Sequence, residues 1–229
     1  MGIVFGMTGS AEPSFSVVPS GLGGAGELRM YQPFIVAEVL KPRGSDEGFS
    51  TLARYIGVFG DPQNEGKTPM AMTAPVTLTP APPQKMAMTS PVTLTPSGTE
   101  PGHEYMGFVL PFEITRVDQA PRPLDKRITL RAVPARLVAV RTYSGWHSDA
   151  GAKAQYKTLH AALLRDELVT CTPGSSVESD DVEGKYSVSQ SHPPFTLPFL
   201  RRNEVWVEIQ QSLPAVKKLL AAAAAAATK

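Results

Sequence analysis

The chain has 229 residues and 42% hydrophobic content, enough for one large domain or two small ones with a real core. Its 22 Lys+Arg against 21 Asp+Glu leave a net charge of +1, without the basic field that holds a polynucleotide, so no nucleic-acid partner is expected. One cysteine, Cys171, excludes an intramolecular disulfide, and the lack of any C-x-x-C or Cys/His cluster gives no zinc signal, so a reducing compartment fits.

Residues 1–26 are rich in Gly, Ser and Pro, carry one acid (Glu12) and precede the first basic residue, Arg29. That pattern is wrong for an Arg-rich transit peptide or a charged secretory region, so the segment reads as a flexible leader and a cytoplasmic location is expected. Ordered structure is expected from Leu28. "YQPFIVAEV" (31–39) is rich in β-branched and aromatic residues and predicts a strand. "SDEGFSTLARYIG" predicts an amphipathic helix: Ser45 is the N-cap, acids fill the first turn, and Phe49, Leu52, Ala53 and Ile56 fall at i, i+3, i+4 and i+7 before Gly57.

The phrase M-A-M-T-[AS]-P-V-T-L-T-P then occurs twice, from Met70 and from Met86, around the connector "PAPPQK". In each copy the Met, Val and Leu positions share one parity and the Thr positions the other, which predicts two half-buried strands, pushed to an edge or bulge by Pro75 and Pro91. "EYMGFVLPFEI" (104–114) predicts another strand, and "RITLRAVPARLVAVRTYSG" predicts two, broken at Pro134. Ser148 and Asp149 cap a second helix with Ala152, Tyr156, Leu159 and Leu163 on one face. "CTPGSSVESDDVEG" is a polar loop, "KYSVSQSHPPFTLPF" and "EVWVEIQ" are the last strands, and the Ala-rich tail from Pro214 has no apolar stripe and is expected to fray. Its run "LLAAAAAAA" falls short of the roughly 18 to 20 residues of a membrane span, so none is expected.

Residues 28–113 and 126–210 repeat one order: strands ("PFIVAEV", "PARLVAV"), a helix, then strands that include "FVLPF" and "FTLPF". The expected fold is therefore α+β, a duplicated β-α-β-β unit forming one antiparallel sheet or barrel that carries two helices. The domain is expected over 27–211, with 212–229 as an Ala-rich tail.

No G-x-S-x-G, P-loop, H-E-x-x-H or dinucleotide fingerprint is present, and no catalytic residue is assigned. Ser144, His147, Ser148 and Asp149 lie close in sequence, but neighbours at a helix start point apart, so they read as capping groups rather than a triad. Met70, Met72, Met86 and Met88 offer four soft thioethers suited to Cu(I). Strand alternation explains the same methionines as core or pocket lining, and no metal site is assigned. His103, His147, His160 and His192 are scattered.

"GFSTLARYIG", "MAMTAPVTL", "MGFVLPFE", "PRPLDKRITLRAVPARLVAVRTYSG" and "HPPFTLPFLRRNEVWVEI" together resemble the SOUL family of heme-binding proteins, and the doubled methionine phrase resembles its plant and algal members. The resemblance runs from Leu28 to Gln210 and implies a distorted antiparallel β-barrel with two flanking helices, built from two similar halves, in agreement with the duplication. It also implies binding of heme or free porphyrin in a shallow apolar site without a dedicated axial ligand, along the first helix and the loop before "RRNEVW". Carried onto this chain, the site falls at Phe49, Ala53, Arg54, Phe195 and Leu197. At 100° per residue, Phe49, Ala53 and Gly57 would form a ridge at the edge of the core stripe, with Arg54 just beyond it to meet the propionates. Leu197 stands where some members carry a second cation, so propionate binding would rest on Arg54 alone or recruit Arg201 or Arg202. The implied function is a carrier or buffer of tetrapyrroles, with proteins of tetrapyrrole metabolism as partners. The alternatives are an enzyme of the same fold that removes the metal or modifies the ring, or a peptide- or lipid-binding module.

Overall fold

The computed structural model describes residues 12–42, 45, 47–71, 76–80, 103–169, 186–191 and 196–227. In chain order the strands are β1 (Phe15–Val18), β2 (Glu27–Tyr31), β3 (Phe34–Pro42), β4 (Val76–Pro80), β5 (His103–Val109), β6 (Ile128–Val133), β7 (Arg136–Tyr143), β8 (Ser187–Gln190) and β9 (Asn203–Glu208). Helix α1 (Glu47–Ile56) lies between β3 and β4, α2 (Asp149–Arg165) between β7 and β8, and α3 (Pro214–Ala227) follows β9. The nine strands form one antiparallel sheet in the order β1-β2-β7-β9-β8-β4-β5-β3-β6, curled into a half-barrel.

That order carries the duplication. In β7-β9-β8-β4-β5-β3 the second half, β7-α2-β8-β9, mirrors the first, β3-α1-β4-β5, across a seam of three residue pairs: Val76↔Gln190, Thr77↔Ser189 and Leu78↔Val188. The strand that leads into each half crosses to the other. β2 pairs with β7, and β6 pairs with β3.

Both helices pack on one face of the sheet, because alternate residues along each strand supply that face. Ile35, Ala37, Val39, Met106 and Phe108 form one core cluster with Leu52, Ala53, Tyr55 and Ile56 of α1. Leu28, Leu137, Ala139, Val205 and Val207 form another with Ala152, Tyr156, Leu159 and Leu163 of α2. Leu78 packs against both clusters and closes the core between the halves. The opposite face holds Tyr31, Val138, Val140 and Trp206 beside Phe34, Val36, Val109 and Val133.

Several expectations change at particular residues. The single strand over 31–39 is two, because Pro33 has no N–H to donate and the chain turns there, with Gln32 donating its N–H to the Ser14 carbonyl at 2.9 Å. The strand expected to reach residue 114 stops at Val109, before Pro111 and a turn closed by the Ile114 N–H on the Pro111 carbonyl. The segment expected as leader contains β1, paired with β2 from Phe15↔Tyr31 to Val18↔Leu28. The tail expected to fray packs, with Val216 fully buried and Leu219, Leu220 and Ala223 against the α2 cluster. Val216, Leu219, Leu220 and Ala223 fall at i, i+3, i+4 and i+7, a stripe that the long alanine run obscures. The first methionine phrase enters β4 only at Val76, and the second, from Met86, lies outside the described residues, as does the polar loop 171–184. Among the described residues no helix is long and apolar enough to cross a membrane.

Candidate functional site

Helix α1 starts at the expected cap, where the Ser45 hydroxyl accepts the Glu47 N–H at 3.3 Å. It ends because Gly57 adopts φ +91°, which lets both the Gly57 and Val58 N–H groups return to the Ala53 carbonyl at 3.1 and 2.9 Å. A Cβ at Gly57 would sit 2.7 Å from Pro62 Cγ, so the glycine is required by the turn as well as by φ. The following chain is pinned against the helix end: the Gln63 N–H reaches the Arg54 carbonyl and the Met70 N–H reaches the Ile56 carbonyl. Buried Asn64 donates through Nδ2 to the Tyr55 and Thr68 carbonyls and accepts the Thr68 N–H, all at 2.9 Å.

This return overturns one expectation. Ala53 was placed at the edge of the buried arc, open to a ligand, yet it is 0% exposed within the α1 core cluster. Its angular position is at the edge, but a methyl is short, and the returning segment brings Met70 against the same cluster. Phe49 is half-buried and turns its ring edge onto Phe108, centroids 5.4 Å apart at 65°. Arg54 is exposed, and among the described residues its guanidinium meets no carboxylate. Val58 and Phe59, the latter 62% exposed, extend an apolar surface directly beyond it. The sequence carries a sign of this surface in "GVFGDP", where an apolar pair between glycines fits no helix or strand period.

The second part of the expected site lies before β9. Phe195 is outside the described residues. Leu197 is half-buried and opens a short 3-10 turn whose Phe199 is 70% exposed. The turn is held to the β7–α2 connection by the Gly145 N–H on the Pro198 carbonyl at 2.9 Å and by Asn203 Nδ2 on the Gly145 carbonyl at 3.0 Å. Beside it, the Arg201 guanidinium lies 3.7 Å from the centre of the exposed Trp146 ring, and its Nε donates to the Thr196 carbonyl. Arg202 is committed elsewhere, forked onto Glu12 and bonded to Glu204.

The cluster at the start of α2 caps as expected. Ser148 Oγ accepts the Gly151 N–H at 3.1 Å, while His147 Nδ1 meets the Tyr143 hydroxyl at 3.2 Å and its Nε2 lies 3.8 Å from Asp149. Burial lowers the His147 pKa against the pull of Asp149 and Glu104. Burial likewise pushes the Tyr143 hydroxyl up to about 12, so both groups are neutral at pH 7. His160 is half-buried and stacked on Tyr156. Met70 packs on the α1 cluster, and Met72, Met86 and Met88 lie outside the described residues.

The family model for SOUL heme-binding protein matches residues 10–208. No curated protein matches the chain. Among solved structures, the EcmrR C-terminal domain is similar at 9% identity and TM-score 0.50, over 86% of this chain and 98% of that one, which shows the shared fold. A hydrolase from Listeria innocua is similar at 9% identity and TM-score 0.45, over 88% of this chain and 93% of that one.

Proposed function

This chain belongs to the SOUL heme-binding protein family, and from that premise we propose that it holds heme or a free porphyrin against the outer surface of α1 and acts as a carrier or buffer. The observation that supports the placement is the exposed surface of Arg54, Val58 and Phe59 around the half-buried Gly57, with the Arg54 guanidinium free of protein carboxylates among the described residues. A tetrapyrrole is a flat apolar disc with carboxylates at one edge, so it needs an apolar platform with a cation at its margin. Phe49 at the border of the stripe, and Leu197, Phe199 and Arg201 on the loop before β9, offer further surface of the same chemistry. Neutral His147 lies on the β7–α2 connection that is bonded to that loop through Gly145, and its Nδ1 is engaged with Tyr143, which supports binding without a committed axial ligand.

The test is a heme titration of the wild type, Arg54→Ala and Phe59→Ser, followed by Soret absorbance. An exposed ion pair contributes about 0.2–1 kcal/mol, so Arg54→Ala weakens binding by up to roughly fivefold, and added salt removes the difference. Covering the open part of Phe59 contributes about 1–2 kcal/mol, so Phe59→Ser costs roughly tenfold. Equal affinities for all three proteins would place the ligand elsewhere. Heme recovered chemically unchanged supports the carrier, whereas turnover would replace it with an enzyme.

A further inference from the structure

The face of the sheet opposite the helices contains a cleft of about 160 Å³ to which both halves contribute. Its position follows from strand parity: Trp206 and Glu208 alternate with Val205 and Val207 of the α2 cluster, and Val36 and Glu38 alternate with Ile35 and Ala37 of the α1 cluster. Phe34, Trp206 and Tyr105 give it flat walls, and Gly107 leaves its floor without a side chain. A Cβ there would lie 2.8 Å from both Thr77 Oγ1 and Val36 Cγ2. The volume is close to the ~150 Å³ that admits a benzene ring and below the ~300 Å³ at which drug-sized pockets begin, so a tetrapyrrole does not fit inside it.

The charges in the cleft are unevenly matched. Arg131 is fully engaged, forked onto Glu38 with two bonds of 2.9 Å. Arg136 is not. Its guanidinium lies 5.8 Å from the Phe34 and Trp206 ring centres, and its only carboxylate contact among the described residues is one 3.4 Å approach to Glu208, whose side chain is 68% exposed. Arg136 Nε is buried and has no hydrogen-bond acceptor among the described residues. A buried guanidinium N–H without an acceptor is costly, and native interiors rarely leave one. Glu38 cannot fill the gap because Arg131 holds it, and Glu208 lies in solvent. Burial, with Arg131 alongside, pulls the Arg136 pKa below the usual arginine value despite Glu208. An anion arriving at Nε would relieve this strain on the charged form.

We propose that this cleft is a separate ligand site that takes a small planar carboxylate, its ring between Phe34 and Trp206 and its carboxylate on the Arg136 guanidinium, which turns its buried Nε toward the ligand on binding. A guanidinium presents Nε and one Nη as a fork that matches two carboxylate oxygens, and aromatic walls favour a ring over an aliphatic acid. The choice of an anion rests on Arg136 being the under-compensated charge. A cation would have to displace Arg131 from Glu38.

The two tryptophans provide a built-in reading, since Trp206 lines the cleft and Trp146 lies outside it. The full-length protein is titrated with benzoate, its neutral isostere benzamide and the cation benzylammonium, and the two indole N–H signals are followed by heteronuclear NMR. Benzoate should shift the Trp206 signal in a saturable way in the millimolar range and leave Trp146 unmoved, with benzamide and benzylammonium at least roughly tenfold weaker. Arg136→Met should lose the preference for benzoate over benzamide, and Arg136→Lys should recover only part of it. Benzamide binding as tightly as benzoate to the wild type, tighter binding of benzylammonium, or no Trp206 shift would each overturn the proposal, and none of these depends on a variant folding.

Discussion

Replacing Ala53 with Asp tests whether this position belongs to the core or to the ligand surface. Ala53 is 0% exposed among Leu52, Ile56, Ile35 and Phe108, so an added carboxyl has no acceptor or cation to meet within that cluster. It must be protonated to stay folded. With an unfolded pKa of about 3.9, holding it neutral at pH 7 costs about 3 units at 1.4 kcal/mol each, or about 4 kcal/mol, and the extra atoms add about 1–3 kcal/mol of overpacking. Against a typical total stability of about 5–15 kcal/mol, the variant is marginal or unfolded at pH 7. The sign is definite: the folded pKa is raised, so the folded state binds the proton more tightly and the electrostatic part disappears as pH falls to about 4. Urea denaturation at pH 7 and pH 5 should show the Asp variant regaining about 2–3 kcal/mol relative to the wild type on acidification. Ala53→Asn, with the same shape and no charge, should show no such pH dependence. Wild-type stability of the Asp variant at both pH values would mean that residue 53 faces solvent, and the core placement would be wrong.

Glu204, fully buried, accepts from Arg29 Nη1 at 3.0 Å, Arg202 Nε at 2.9 Å and Trp206 Nε1 at 2.7 Å, so Glu204→Gln leaves buried guanidinium groups short of a counter-charge and should cost about 3–5 kcal/mol in chemical denaturation. Gly57→Ala should cost more than the roughly 1 kcal/mol of the left-handed backbone alone, because its Cβ would also strike Pro62; a loss under about 0.5 kcal/mol would refute the tight turn. The Tyr55 hydroxyl, pushed up to about 12 by burial, donates to the Pro121 carbonyl at 2.8 Å, so Tyr55→Phe should lower stability by about 1 kcal/mol and remove a late-titrating component from the ultraviolet phenolate curve.

The elements were legible where one physical signal dominated. The β-branched and aromatic run "FIVAEV" reflects a strand covered on both faces, the Phe49, Leu52, Ile56 spacing of α1 reflects one buried face, and the two halves repeat this order. What the sequence concealed depends on chain segments distant from the residue in question. The wheel assigns Ala53 an angle, but its full burial comes from a cluster assembled from β3, β5 and the returning Met70, all distant in sequence. Arg202 reads as a ligand cation beside "RRNEVW" until Glu12, 190 residues away, is seen to fork onto it. Arg136 carries no sequence signal at all, since its unmet Nε is defined by what Glu38 and Arg131 do to each other on neighbouring strands.

The exchanged strands make a prediction about folding that the narrow seam alone would not suggest. Three residue pairs between β4 and β8 look like a hinge between independent domains. However, β2, with β1 attached, pairs in its own half with nothing beyond β1 and reaches the rest of the sheet through β7, and β6 pairs with β3 of the other half over six residue pairs. A fragment ending at Leu124 would leave the full length of β3 as an open apolar edge, and a fragment starting at Asp125 would contain β6 without a partner. Open edges of this kind promote aggregation or leave a strand unformed. Neither fragment should therefore give a cooperative thermal transition alone, while the two produced together should form a soluble one-to-one complex with near-native circular dichroism. Cutting after Leu124 keeps the Leu124 N–H bond to Gln63 and the Asn64↔Pro123 bridge within the first fragment, so the loss would come from strand exchange rather than from a damaged loop. A sharp, independent transition in either fragment would show that its half folds without the other's leading strand, and the seam would then be a true domain boundary.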